Sequence, residues 1–192
     1  CEAVCLSGAG ALSCELGGWE FIAWLKKENM FLIPLDAENR WFRFHHLFQK
    51  LLSNQLKRHF SSEDINVLHA RASAWFAENG LIEEAIRHVL ASGDVDGAAQ
   101  LVEQNRQTLL NTDRWYVLEK WLSMLPDTVI QQRPELLLAQ VWIHYFHFRL
   151  TLIPSVLDVV ESLLSNKPKE KLLYGEISLF KGVVCFLQGD GA

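Results

Sequence analysis

Hydrophobic spacing changes period three times between Asn29 and Leu56, and each change predicts a different element. Phe31 to Leu35 is a short apolar run closed by Asp36, Ala37, Glu38 and Asn39, and from Arg40 to His45 aromatic residues alternate with basic ones. That pattern predicts a β-hairpin. Because strand side chains alternate, Phe42 and Phe44 share one face while Trp41, Arg43 and His45 share the other. Pro34 has no N–H to give a ladder, so the first strand is expected at an edge or paired on one side. From Leu47 the spacing turns helical, with Leu47, Phe48, Leu51, Leu52, Leu56 and Phe60 on one stripe and Lys50, Lys57 and Arg58 opposite.

A hairpin of this size is marginal alone, and its aromatic face needs helical cover. The helix after it supplies one cover; a helix starting near Trp19, through Phe21, Ile22 and Leu25, supplies the other. Helix, two-stranded wing and helix outline a winged-helix module over residues 1–62, with residues 1–15 as linker or frayed helix.

Beyond Phe60 the pattern is purely helical. Ser61 or Ser62 can cap a helix with stripe Ile65, Leu68, Ala72, Trp75 and Phe76, which Gly80 ends. Ile82, Ala85, Ile86 and Val89 form the next stripe, stopped by Gly93, and Asp94 can cap a third helix carrying Ala98, Leu101 and Val102. A fourth runs from about Asp113 to Leu125, burying Trp115, Leu118, Trp121 and Leu122, and ends at Pro126. Pro134 opens another, with Leu137, Val141 and Tyr145, because the first helical turn has no use for its missing N–H. Two more follow, around Pro154 to Leu164 and Lys171 to Gln188, with Gly189 as the stop. Helix starts near 64, 95, 134 and 170 lie 31, 39 and 36 residues apart, a drifting repeat of helix pairs. Residues 63–192 therefore read as an α-solenoid of tetratricopeptide-like helical hairpins, truncated at its end, and the fold class is mainly α with one small hairpin.

Composition narrows the function more than the fold. At 192 residues and 49% hydrophobic the chain can bury a core, and its net charge of −5 argues against an overall nucleic-acid binder. No run reaches the roughly 18 apolar residues of a membrane helix. Of the cysteines at 1, 5, 14 and 185, three crowd one end, which suits a reducing cytoplasm better than a disulfide framework. Cys1 and Cys5 could meet a metal on one helical turn, but no further ligand pair with zinc-site spacing follows. No phosphate-cradling glycine loop ending in Gly-Lys-Ser/Thr, nucleophile elbow or His-Glu-x-x-His is present, so no turnover is expected of this chain. Beginning at Cys1, the chain reads as a fragment.

The strings ENMFLIPLD, RWFRF and HHLFQKLL resemble the winged-helix segment of the large ATP-binding regulators of the LuxR type, the maltose-regulon activator (MalT-like) family of bacterial signal-transduction ATPases. A second match lies in EKWLSMLPDTVIQQRPELLLAQVW, where Trp121, Leu122, Leu125, Pro126, Arg133, Pro134 and Trp142 fall where that family has them. The resemblance implies a central coupling segment, with an ATPase domain of the same polypeptide before it and a DNA-binding domain after it. It implies ATP or ADP as cofactor of the whole protein, none in this fragment, and no DNA contact by this chain. Related ATPases place a Met-His-Asp triplet at the strand-to-helix turn, whose histidine approaches the β-phosphate of ADP. Phe44-His45-His46 is similar, with His45 at the histidine and His46 departing at the aspartate.

Between Arg40 and Ser62 there are five Lys or Arg, three His and no acid. This stretch is either a solvated face or an anion site in which Arg43, His45 and His46 sense nucleotide phosphate; duplex DNA is the weaker alternative. His45 either caps its helix or donates to phosphate. Trp142, Tyr145 and Phe146, with Phe148, His144 and His147, are either packing between helices or a surface for a small-molecule effector or regulatory protein. Asp36, Glu38 and Asn39 suit a turn tip better than a calcium loop. A free-standing helical-repeat adaptor that binds a protein partner is the competing reading of the whole.

Overall fold

The computed structural model describes residues 18–38, 41–165 and 171–188. The expectations for residues 1–15, including Cys1, Cys5 and Cys14, and those for Asn39, Arg40 and Gly189 lie outside the described residues. The chain divides into two compact units between Gly93 and Asp94.

In the first unit, helix α1 (Gly18–Lys27) leads into a hairpin of β1 (Leu32–Pro34) and β2 (Phe42–Phe44), then α2 (His46–His59), α3 (Ser62–Glu78) and α4 (Ile82–Ala91). The strands are antiparallel, with Leu32 opposite Phe44, Ile33 opposite Arg43 and Pro34 opposite Phe42. Outside the strands, Leu35 N–H donates to Trp41 at 2.8 Å and His45 N–H to Phe31 at 2.9 Å. Hydrogen-bonded pairs therefore fall at odd-numbered residues of β1, and Pro34 takes a position that needs no N–H. Phe31 and Phe44 close on Phe48 of α2, with ring centroids 5.6 and 5.4 Å away. From α1, Leu25 is buried and Lys26 lies 4.5 Å over the Phe42 ring.

The stripe read along α2 is not a core. Phe48 and Leu56 are half-buried, while Leu47, Leu51 and Leu52 face outward. One ring suffices to cover so small a wing, and Leu47, Leu51 and Leu52 stay largely exposed among the described residues.

Ser61 caps α3 through a reciprocal box, its hydroxyl accepting from Asp64 N–H at 3.1 Å while Asp64 accepts from Ser61 N–H at 3.2 Å. Helices α3 and α4 pack as a hairpin that buries Ala72, Ala85, Ile86 and Val89, and the buried Ser73 hydroxyl donates to the Ala85 carbonyl at 2.9 Å.

The second unit holds α5 (Val95–Asn111), α6 (Trp115–Leu122), a short α7 (Asp127–Ile130), α8 (Pro134–Phe146), a 3-10 turn at Leu150–Leu152, α9 (Ile153–Leu164) and α10 (Lys171–Gln188). Asp94 caps α5 by accepting from Gly97 N–H at 2.8 Å. Helix α8 is central: α5, α6, α9 and α10 all pack on it, and Leu136, Leu137, Leu138, Ala139, Val141 and Ile143 are buried. Such a helix is apolar nearly all round because it has neighbours nearly all round.

Helix ends share one device. After α1, α3, α5 and α8 a residue in the left-handed region turns the chain, and its own N–H and the next one reach back to the last-turn carbonyls. Glycine does this at Gly80 (φ 73), but Asn29, Asp113 and Phe148 do it at φ 51, 57 and 55.

Candidate functional site

The junction of β2 and α2 is built by ladder and cap together. His45 is the last residue tied to the wing and the first to serve the helix, its Nδ1 accepting from Leu47 N–H at 3.4 Å. That distance is at the long end of a hydrogen bond, so the cap holds the ring loosely. His46, the first residue of α2, is exposed, and its ring lies 4.3 Å from that of His45. Arg43 is exposed on β2, two residues back and so on the strand face of His45. No acid occupies the first turn of α2. Unpaired N–H groups of a helix start, two imidazoles and a guanidinium thus stand within four residues, a combination that favours an anion. Trp41, also exposed, stays near through its N–H, which donates to Asp36 Oδ1 at 2.8 Å and makes Asp36 the turn's anchor.

The aromatic residues of α8 occupy two different environments. Trp142 stacks on Phe146 at 5.8 Å, meets the edge of Phe180 at 4.8 Å, and donates from Nε1 to Glu176 Oε2 at 3.2 Å. Phe146 also stacks on Trp115 of α6 at 5.4 Å, nearly parallel. Both therefore knit α6, α8 and α10. Tyr145 is the more open of the three: with Ser178, Leu179, Gly182, Val183 and Phe186 it lines an open hollow of about 530 Å³.

Sequence reading missed the polar core of this unit. Arg106 on α5 is 5% exposed and makes a two-pronged pair with Glu176 on α10, at 2.8 and 2.9 Å. The same carboxylate takes the Trp142 indole, so its oxygens are well satisfied. Arg133 bridges Glu103 and Asp96, and these contacts, the Asp96 hydrogen bond foremost, raise its pKa above the ordinary arginine value. A signal existed, since Arg106 follows Ala98, Ala99, Val102 and precedes Leu109 on the buried stripe of α5. A cation at a core position needs a buried anion. Glu103, Arg106, Gln107, Glu135, Leu172 and Glu176 border a groove of about 620 Å³.

Two histidines have perturbed surroundings. Burial, then Arg149 and His147, push His144 below the usual histidine range, and its Nδ1 is buried without a partner. In the first unit His88 on α4 faces His69 on α3, Nδ1 to Nδ1 at 2.9 Å. No group of three or more His, Cys, Asp or Glu suited to a metal occurs among the described residues.

Residues 1–64 match the family described as the MalT winged helix domain. The chain is 36% identical over 141 residues to the serine/threonine-protein kinase PknK of Mycobacterium tuberculosis, an alignment spanning 73% of this chain and 13% of the kinase. It is 30% identical over 180 residues to the HTH-type transcriptional regulator MalT of Yersinia enterocolitica, spanning 93% of this chain and 20% of the regulator. The Yersinia pestis MalT is 28% identical over the same length. The chain thus spans a fifth or less of the length of these curated relatives. No solved structure matches. Likeness to MalT runs through the wing and on through the helical hairpins, and the chain is a MalT-like segment whose first third belongs to the MalT winged helix domain family.

Proposed function

We propose that the chain is the central coupling segment of a bacterial, ATP-dependent transcription regulator of the LuxR type. It relays nucleotide and effector state between an ATPase domain and a DNA-binding domain of the same cytoplasmic polypeptide. The winged helix, residues 1–62, reads the nucleotide, and the tetratricopeptide-like hairpins of 63–192 pass the signal on. The observation that carries this is the β2–α2 junction: His45 ends the ladder and caps a helix start free of acids, with His46 and Arg43 beside it. A cap held at 3.4 Å is weak enough to give way to a phosphate oxygen. ADP bound next to the wing would hold the resting state, and Trp142, Tyr145 and Phe146 mark where an effector or regulatory protein bears on the repeats. Neither turnover nor DNA contact belongs to this segment.

In the full-length protein, His45→Ala is expected to weaken ADP retention and to give activation without effector. The measurement is bound nucleotide after gel filtration, alongside reporter transcription. A folded mutant that keeps ADP like the parent and still needs effector would leave His45 a helix cap and nothing more. The reading of the chain as a free-standing adaptor has one observation in its favour: Leu172, Leu179 and Phe186 lie exposed along α10.

A further inference from the structure

The contact between His69 and His88 has no part in the relay described above. It joins the two helices of the α3–α4 hairpin at 2.9 Å, with the His88 ring stacked on Phe76 at 5.2 Å and 21°. Two nitrogens that close face each other across one hydrogen, so one Nδ1 carries a proton and the other offers its lone pair. A first added proton can enter at the far Nε2 of the donor ring and leave the contact intact. A second must take the shared lone pair, which sets two N–H groups and two positive charges against each other. Among the described residues, the charges that act on His88 are those of His69 on α3 and of Glu84 one turn back on α4; α2 also packs on α3. Burial and His69 both work against the charged form of His88, and Glu84 only partly offsets them.

We infer that the His69–His88 pair is a proton-operated latch: the α3–α4 hairpin stays shut while the two rings share one proton at the contact and loosens when both are charged. Acidification would then act on the helical hairpin that follows the wing, independently of nucleotide.

The test uses the 192-residue chain, labelled for NMR. Histidine ring resonances are followed from pH 8 to about 5, and amide-exchange protection factors of α3 and α4 are measured at each end of that range. The expected result is a His88 midpoint below the ordinary histidine range and a fall in hairpin protection of about tenfold or more at acid pH. His69→Gln can donate to a neutral His88 or, with its amide turned, accept from a charged one. It should therefore raise the His88 midpoint and remove most of the acid-induced loss. His88→Gln is the converse variant and should also flatten the pH response. Protection that ignores pH in the parent, or falls as steeply in both glutamine variants, would overturn the latch.

Discussion

Trp121 shows how one side chain can be both well buried and imperfectly placed. It is 6% exposed, yet its Nε1 is buried without a hydrogen-bond partner. The apolar area outweighs the orphan donor, and Trp121→Ala is expected to cost roughly 3 to 5 kcal/mol in urea unfolding. A loss under about 1 kcal/mol would mean the ring is not in the core. Phe148 is the opposite case, 86% exposed and held at φ 55, where only residues without a bulky Cβ are comfortable. Phe148→Gly should stabilise the chain by roughly 1 kcal/mol, read as a higher urea midpoint at constant slope. Unchanged stability would show that the aromatic ring makes up for its backbone.

At the scale of elements, what sequence revealed and what it hid have separable causes. The cap at Asp94 and the stop at Gly80 were legible because each residue type has a strong local use, and the cap at Ser61 was legible as one of two adjacent serines. The left-handed turns at Asn29, Asp113 and Phe148 were not, since these residues enter that region only when the backbone bonds around them demand it. Burial in helix α8 does not follow the Leu137, Val141 and Tyr145 row, taking in Leu136, Leu138, Ala139 and Ile143 and leaving Tyr145 open, because the helix is surrounded. By contrast, α2 shows a clear stripe that the described structure hardly buries. Spacing reports that a helix has an apolar side, never whether a partner is at hand. Leu51→Ser is therefore expected to change the stability of this chain by less than about 0.5 kcal/mol, as for a surface position. A loss above about 2 kcal/mol would show that α2 is already covered.

For the molecule as a whole, the wing and hairpins were readable from spacing, while the candidate site was readable only in part. His45, His46 and Arg43 are adjacent in sequence, so their convergence came with the strand-to-helix turn. The Arg106–Glu176 and His69–His88 pairs join residues far apart in the chain, and a spacing pattern does not say which helices become neighbours. The sequence carries no phosphate-cradling glycine loop ending in Gly-Lys-Ser/Thr, and isothermal calorimetry of the isolated chain is expected to show no ATP binding tighter than millimolar. Micromolar binding would place the nucleotide site inside this segment instead of beside it. The Arg106–Glu176 pair has a last consequence, in the order of synthesis. The cation leaves the ribosome 70 residues before its anion, so a nascent chain that stops short of α10 carries a guanidinium destined for burial without the carboxylate that pairs with it. A chain truncated before α10 is therefore expected to leave the early helices of this unit more open to proteolysis than the full 192 residues, as limited digestion would read.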